Sequence, residues 1–183
     1  MTSSTSGDEL AELRATVARL TDEAAVTRVL YRYCDLVDAN RQADIVALFT
    51  PEATFDYGHG QVYTGHEALR GLFSNLDRND ATSHHLSNVT ITFDDADTAR
   101  SHSYLYAYHR RSGTDHLVHL WGRYDDVLVR REHPGPGGEL WAIAARALTG
   151  AAELGIDPDP GWPSRYPLIE RVGREAVTGP VVH

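Results

Sequence analysis

The sequence predicts an α+β domain in which N-terminal helices pack on a strongly curved, mostly antiparallel sheet. Two observations lead to this fold class. In the first part of the chain, apolar residues recur at spacings of three and four, which is the period of an amphipathic helix. Beyond Asp80 the pattern changes to alternation, which is the period of a strand, and it continues through four long segments. Helices followed by consecutive strands favour an antiparallel sheet with the helices on one face.

Two helices are expected before the sheet. The first has an apolar stripe formed by Leu10, Leu13, Val17 and Leu20, and the second stripe runs through 26–37. The capping residues at 21–23 indicate a break between the two helices. The first stripe is more apolar than a solvated helix needs, so we expect it to pack on the domain or on a partner subunit.

The remaining elements follow from turn and capping signals. A short helix is expected over 45–49, and a hairpin with strands at 53–57 and 61–63 follows it. Residues 64–67 have the form of a capping box, so another helix starts there. Strands are expected near 84–93, 98–110, 115–131 and 139–149. Residues 1–7 are expected to be disordered and 8–150 to form the domain. The Pro- and Gly-rich residues 151–183 are interpreted as a tail that covers the pocket or lies on the surface.

Composition limits the partners and the compartment. The chain has 183 residues and a formal net charge of −9, so phosphate backbones would repel it and nucleic acid is not an expected partner. A single cysteine, Cys34, excludes an internal disulfide and any multi-cysteine zinc site. No signal peptide or membrane-length apolar run is visible, so we expect a cytoplasmic protein with no membrane partner.

Alternation along the expected strands assigns side chains to the two faces of the sheet. His85 shares a face with Ile91 and Phe93, so it is predicted to point into the core, whereas His84 points away. His109 shares its face with small residues, which suit the concave side of a bent sheet because they leave room for a cavity. Two histidines are therefore predicted to face one pocket.

The same alternation argues against a metal site. It places His84 and His85 on opposite faces, and it separates His116 from His119 in the same way. No set of ligands with metal-binding spacing remains, so no metal and no cofactor are expected.

Two sets of polar residues have alternative interpretations. Trp121, Arg123 and Asp125 share one face of their strand, either as a substrate-binding wall and ion pair within the pocket or as a surface cross-strand pair. Arg146 shares its face with apolar residues, and it either clamps a substrate carboxylate or phenolate or makes a structural ion pair.

Several segments in order resemble the SnoaL-like proteins of the nuclear transport factor 2-like superfamily. They are Tyr33-Cys34-Asp35-Leu36-Val37-Asp38, the runs 45–49 and 50–57, and Trp121-Gly122-Arg123-Tyr124 followed by Trp141. The resemblance spans roughly residues 20–150. It implies a cone-shaped fold with a pocket and a homodimer or homotrimer. It leaves the reaction open, because this fold hosts isomerases, dehydratases, epoxide hydrolases, polyketide cyclases and non-catalytic subunits.

Within the superfamily the motif is most similar to scytalone dehydratase and the bacterial bile-acid dehydratases. The resemblance implies that Asp38, Tyr57, His85 and His109 are catalytic, and that Tyr33 takes part in the site. Two positions depart from the pattern of scytalone dehydratase. Val37 stands where that enzyme has a second tyrosine, and the asparagine of its last strand has no clear counterpart.

These residues would support the dehydration of a small hydroxy-carbonyl compound that is polyketide- or steroid-like. His85 would remove the α-proton and protonate the departing hydroxyl, since the reference pKa of histidine lies near neutral pH. Asp38 would hold His109 in one tautomer. Tyr57, with Tyr33 as a second donor, would stabilise the enolate-like oxygen.

Other functions remain open on the same scaffold. A cyclase or a ketosteroid-type isomerase would use related proton transfers, and Arg123 with Asp125 would suit an epoxide-opening enzyme. A non-catalytic ligand-binding module is the remaining alternative. In each case the expected partner is a small molecule.

Overall fold

The computed structural model describes residues 3–114 and 116–156. Its helices are α1 (Ser3–Asp38), α2 (Gln42–Ala47) and α3 (Gly65–Phe73), and a 3₁₀ turn (Ser74–Arg78) follows α3. Its strands are β1 (Phe49–Asp56), β2 (Val62–Thr64), β3 (Asn79–Phe93), β4 (Thr98–Arg111), β5 (Leu117–Arg130) and β6 (Trp141–Ile156). From α2 onwards the predicted order of helices and strands is confirmed, whereas α1 replaces two predicted helices.

The six strands form one curved, unclosed sheet in the order β2-β1-β6-β5-β4-β3. β1 and β6 are parallel, and the other neighbouring strands are antiparallel. The α+β class with helices packed on a mostly antiparallel sheet is thus confirmed. None of the described helices is long and apolar enough to cross a membrane.

The hydrophobic core lies between the C-terminal half of α1 and the concave face of the sheet. Val26, Val29 and Leu30 on α1 are fully buried there. Farther along the helix, the ring of Tyr33 meets Phe49 and Tyr124 edge-on, with centroids 6.2 and 5.9 Å apart. Such edge-to-face contacts are favourable between aromatic rings. Tyr33 therefore fixes α1 against two strands.

Helix α1 is one continuous helix of 36 residues, so the predicted break at 21–23 is wrong. Polar residues at and just after the expected break are accommodated within the helix. Thr21 and Thr27 each donate a hydroxyl hydrogen bond to the carbonyl four residues earlier, at 2.8 Å. Asp22 instead accepts a hydrogen bond from Arg130 on β5 at 2.7 Å. The helix also begins at Ser3, inside the segment predicted to be disordered.

The N-terminal stripe of α1 does not pack on the described part of the domain. Its four apolar side chains, Leu10, Leu13, Val17 and Leu20, are all exposed. The expectation that a partner subunit covers the stripe stays a prediction.

The short elements β1, β2 and α3 agree with the sequence analysis except at the start of α3. β1 and β2 pair as the predicted antiparallel hairpin, and α3 follows Thr64 as expected. Thr64, however, makes no side-chain capping hydrogen bond.

The last strand, β6, continues to Ile156, beyond the predicted end of the domain at 150. Residues 157–183 of the predicted tail lie outside the described residues.

A β-bulge interrupts β3. The register against β4 shifts between Ser87 and Thr90, and Asn88 has a left-handed backbone with φ of 50°. Such a bulge inserts one extra residue into the strand, so the side chains on either side of it exchange faces. Between 82 and 87 the even-numbered residues of β3 point inward, and beyond the bulge the odd-numbered residues do. A second register shift lies at the start of the strand, between Asn79 and Ala81.

Candidate active site

A cavity of about 280 Å³ lies between α1, α3 and the concave face of the sheet. Its wall combines apolar side chains, aromatic rings and a small number of polar groups, which is typical of a site for a small molecule. The polar and aromatic lining residues include Tyr33, Tyr57, Gln61, Tyr63, Asn75, Arg78, Asn79, His84, His109, Arg111 and Tyr124.

Asp38 and His84 form a hydrogen-bonded pair beside this cavity. Oδ1 of Asp38 lies 2.7 Å from Nδ1 of the His84 ring, and Oδ2 accepts the backbone N–H of His84 at 2.9 Å. α1 ends at Asp38, which allows its carboxylate to turn towards β3. The His84 side chain is only 7% exposed, so its orientation is set by this pairing and by the surrounding wall.

The pairing defines the chemistry available to His84. A carboxylate can only accept hydrogen bonds, so Nδ1 is the protonated nitrogen of the neutral ring. Nε2 then keeps its lone pair. Because His84 lines the cavity, this nitrogen can serve as a base there. Asp38 does not line the cavity itself, and its contribution to the site is made through His84.

His109 lies beside His84 and also lines the cavity. The centroids of the two rings are 5.2 Å apart, and their planes are inclined at 66°. The predicted inward orientation of His109 agrees with the structure. Asp38, which was predicted to hold His109, binds His84 with both of its carboxylate oxygens.

The predicted orientation of His85 is wrong. His85 is exposed on the convex face, where its ring stacks on Tyr106 at 5.9 Å and its Nε2 lies 2.9 Å from Oγ of Ser83. The physical reason is the bulge at Asn88. Alternation extrapolated backwards from Phe93 therefore assigns the wrong face to the residues that directly precede the bulge, His84 and His85 among them. His84 therefore occupies the position that the sequence analysis gave to His85.

Tyr33 and Tyr57 line the cavity, as the sequence analysis expected. Burial raises the pKa of Tyr33 to about 12, and the nearby positive charge of Arg146 opposes this shift only in part. Burial is also the largest cause of the raised pKa of Tyr57, followed by the negative charge of Glu153. Tyr57 is nonetheless 42% exposed, which indicates that it stands where the cavity meets solvent. Both hydroxyls remain protonated near neutral pH and can donate hydrogen bonds.

Trp121, Arg123 and Asp125 lie on the convex face, away from the cavity. The Trp121 side chain is 41% exposed and stacks on His119 at 6.0 Å. Nε of Arg123 lies 3.3 Å from Oδ2 of Asp125, and both side chains are about half exposed. The surface location is therefore correct, although the pair lies within β5 and not across two strands, and the placement of these three residues in the pocket is wrong.

Arg146 makes the structural ion pair that was one of its two interpretations. Its Nε and Nη2 donate to the two carboxylate oxygens of Asp126 at 2.6 and 2.9 Å, and neither side chain is exposed. The guanidinium also contacts the rings of Tyr33 and Tyr124, with its central carbon 4.1 Å from each centroid. Arg146 does not line the cavity. It supports two tyrosines that do.

Besides His84, the sequence analysis missed seven polar residues of the cavity wall, which are Gln61, Tyr63, Asn75, Arg78, Asn79, Arg111 and Tyr124. One signal could have found Arg111, which shares the inward face of β4 with His109 two residues earlier. Among residues 3–114 and 116–156, no group of three or more His, Cys, Asp or Glu side chains is arranged to hold a metal ion.

The chain belongs to the family of the SnoaL-like domain, which its residues 18–147 match. A search of curated proteins gave no match.

Solved structures with the same fold include several from Novosphingobium. One is a protein of Novosphingobium aromaticivorans provisionally named scytalone dehydratase, which is 25% identical, with 79% of this chain and 92% of that chain covered and a TM-score of 0.70. Another is hexachlorocyclohexane dehydrochlorinase LinA-type3 of Novosphingobium barchaimii, which is 15% identical, with 81% and 99% covered and a TM-score of 0.68. The second shows similarity of fold alone.

Proposed function

We propose that the chain is a cofactor-independent lyase that removes water from a small β-hydroxy carbonyl compound. The observation that carries this proposal is the Asp38–His84 pair, in which the carboxylate fixes the tautomer of a histidine that lines the cavity. The similarity to a protein provisionally named as a dehydratase supports the same reaction class.

In the proposed reaction, Nε2 of His84 removes the proton from the carbon next to the carbonyl. The electrons of the broken C–H bond form an enolate, and Asp38 stabilises the resulting imidazolium. The enolate then reforms the carbonyl and a carbon–carbon double bond forms as the C–O bond to the β-hydroxyl breaks. The departing hydroxyl takes a proton from His84 or from His109 beside it and leaves as water.

Tyrosine hydroxyls supply the stabilisation of the enolate oxygen. Tyr57 and Tyr33 line the cavity and have raised pKa values, so they are neutral donors at the pH where His84 acts as a base. A donor fixed in advance at the position where negative charge develops lowers the barrier without costly reorganisation. A cavity of about 280 Å³ favours a substrate of one or two fused rings over a whole steroid.

The alternative of an epoxide-opening enzyme loses its support, because Arg123 and Asp125 lie on the convex face. A cyclase would use the same His84 base, and differs only in what the enolate attacks. The experiments below distinguish these enzymes from a non-catalytic ligand-binding module.

The test uses a β-hydroxytetralone, which loses water to give an aromatic naphthol with a distinct absorbance. We expect the wild type to accelerate this elimination and His84→Gln to reduce the rate by a factor of about 10³ or more. His85→Gln is the matched control, because it removes the neighbouring imidazole on the opposite face, and it should retain wild-type activity. Equal losses in both variants would contradict the assignment of His84.

A second measurement covers the case in which this alcohol is not a substrate. Incorporation of deuterium next to the carbonyl of tetralone, followed by proton NMR in deuterium oxide, reports proton removal alone. If tetralone binds in the cavity and the wild type accelerates neither reaction, the chain is a binding module and the lyase proposal fails.

A further inference from the structure

The two arginines of the cavity wall have no role in the reaction described above. We propose that the substrate carries a carboxylate, and that Arg78 and Arg111 bind it at the mouth of the cavity. The proposal rests on the proposed function, which identifies the part of the substrate that reacts. It adds that the opposite end of the substrate carries a carboxylate.

Arg78 and Arg111 are brought together by the start of β3 and the end of β4. Arg78 closes the 3₁₀ turn, and its carbonyl accepts the backbone N–H of Ser112 at 2.8 Å. Arg111 is the last residue of β4 and pairs in register with Asn79, whose Oδ1 accepts Nη1 of Arg111 at 3.2 Å. Both arginines are exposed and both line the cavity, which places them at its opening.

The charge of the wall is opposite to that of the protein. The chain has a formal net charge of −9, yet none of the described residues that line the cavity is Asp or Glu. The nearest acids in sequence, Asp77 and Asp80, accept hydrogen bonds from uncharged side chains. Asp77 accepts hydrogen bonds from Asn40 and Gln42 at 2.8 and 3.0 Å, and Asp80 accepts one from Ser112 at 2.8 Å.

One acidic side chain does act at this end of the cavity. Glu153 and Arg111 shift the pKa of Tyr57 in opposite directions, so both are close to that hydroxyl. Glu153 does not line the cavity, whereas Arg111 does. A ligand entering the mouth therefore meets the two guanidinium groups, whose planar fork of N–H donors suits a carboxylate.

The spacing along β4 sets the shape of the substrate. Ala107 lies opposite His84, and Arg111 follows four residues later on the same face. At about 3.3 Å per residue, the Cα atoms of Ala107 and Arg111 are about 13 Å apart. The side chain of Arg111 spans part of this distance. The carboxylate and the reacting carbon would therefore sit on opposite sides of a ring.

Calorimetric titration with naphthoate and naphthamide tests the proposal, because the two probes have nearly the same size and differ in charge. We expect the wild type to bind naphthoate at least about tenfold more tightly than naphthamide, as charge-assisted hydrogen bonds allow. Arg78→Gln and Arg111→Gln should each reduce this preference, and the double variant should abolish it. Arg14→Gln, which removes the same charge from the exposed part of α1, should leave it unchanged.

Equal affinity for the two probes in the wild type would overturn the proposal, and so would a preference that survives in the double variant. A loss of equal size in Arg14→Gln would attribute the preference to overall charge and would also overturn it. His84→Gln separates this result from the proposed function. It should bind naphthoate as the wild type does while losing catalysis, so anion selectivity can succeed or fail independently of the lyase reaction.

Discussion

Both carboxylate oxygens of Asp38 bind one residue, His84, through its ring Nδ1 at 2.7 Å and its backbone N–H at 2.9 Å. The second hydrogen bond prevents the carboxylate from rotating away from the ring. The last residue of α1 therefore fixes the orientation of a side chain on β3, and the helix end and the proposed catalytic base form one rigid unit.

Replacing Asp38 by Asn tests this coupling. The amide can offer its N–H₂ to the ring, which favours a proton on Nε2 and removes the base from the cavity, so we expect kcat to fall by a factor of about 10²–10⁴ with little change in KM. Steady-state kinetics on the elimination measures both constants. Asp35→Asn, on an exposed position of the same helix, is the control and should have nearly wild-type kcat. A fall confined to KM would argue that Asp38 acts on substrate binding instead.

The raised pKa of Tyr33 predicts a loss of stability in alkali. The folded protein keeps this hydroxyl neutral up to a pKa of about 12, whereas the unfolded chain ionises near 10. The contribution is fully present below pH 10 and is lost as the pH rises towards 12, by about 1.4 kcal/mol for each unit. Tyr33→Phe lacks this group. Between pH 8 and pH 11, urea unfolding should show that the free energy of unfolding of the wild type falls by about 1.4 kcal/mol more than that of the variant. If the difference in unfolding free energy between the two proteins is the same at both pH values, the burial of the hydroxyl is contradicted.

The buried pair of Asp126 and Arg146 predicts a non-additive result. Arg146→Met should lower the free energy of unfolding by about 3–5 kcal/mol, because it leaves the Asp126 carboxylate buried without its partner. Adding Asp126→Leu removes the stranded charge and should recover most of that loss. Urea unfolding of both single variants and the double variant gives the coupling energy. A double variant as unstable as the sum of the singles would show that the two side chains act independently.

The left-handed backbone of Asn88 predicts the ranking of substitutions at the bulge. Asn88→Val should cost about 1–2 kcal/mol, since a side chain branched at Cβ disfavours this conformation, whereas Asn88→Gly should cost little. Ser87→Val is the control, because it places the same side chain on the preceding exposed residue of the strand. Thermal unfolding of the three variants measures the ranking. Equal destabilisation by Val at both positions would indicate that backbone conformation is not the cause.

The order of helices and strands could be predicted from the sequence because hydrophobic period and turn residues are local signals. The cavity residues Tyr33 and His109 lie on long uninterrupted patterns, and their orientation was predicted correctly. The orientation of His84 was not predicted, because one exposed asparagine such as Asn88 is also common in loops and regular strands and does not by itself specify a one-residue bulge. The continuity of α1 also depends on a distant partner, since Asp22 is held by Arg130 on β5.

Arginines at strand ends were harder to interpret from the sequence. Arg110 and Arg111 are adjacent near the end of β4, where alternation alone assigns them to opposite faces. The structure places Arg111 on the cavity wall, whereas Arg110 lies beside Asp80 in a separate surface hollow. Which of two neighbouring charges faces a cavity depends on strand register, and register is a property of the assembled sheet.

The bulge at Asn88 also affects how this chain should be aligned with its relatives. A relative that lacks the extra residue would carry its cavity histidine one position closer to the end of the strand. Matching the two chains without a gap between 84 and 90 would then pair a cavity histidine with a surface residue. Site residues in this family are therefore compared safely only after the strands have been superposed.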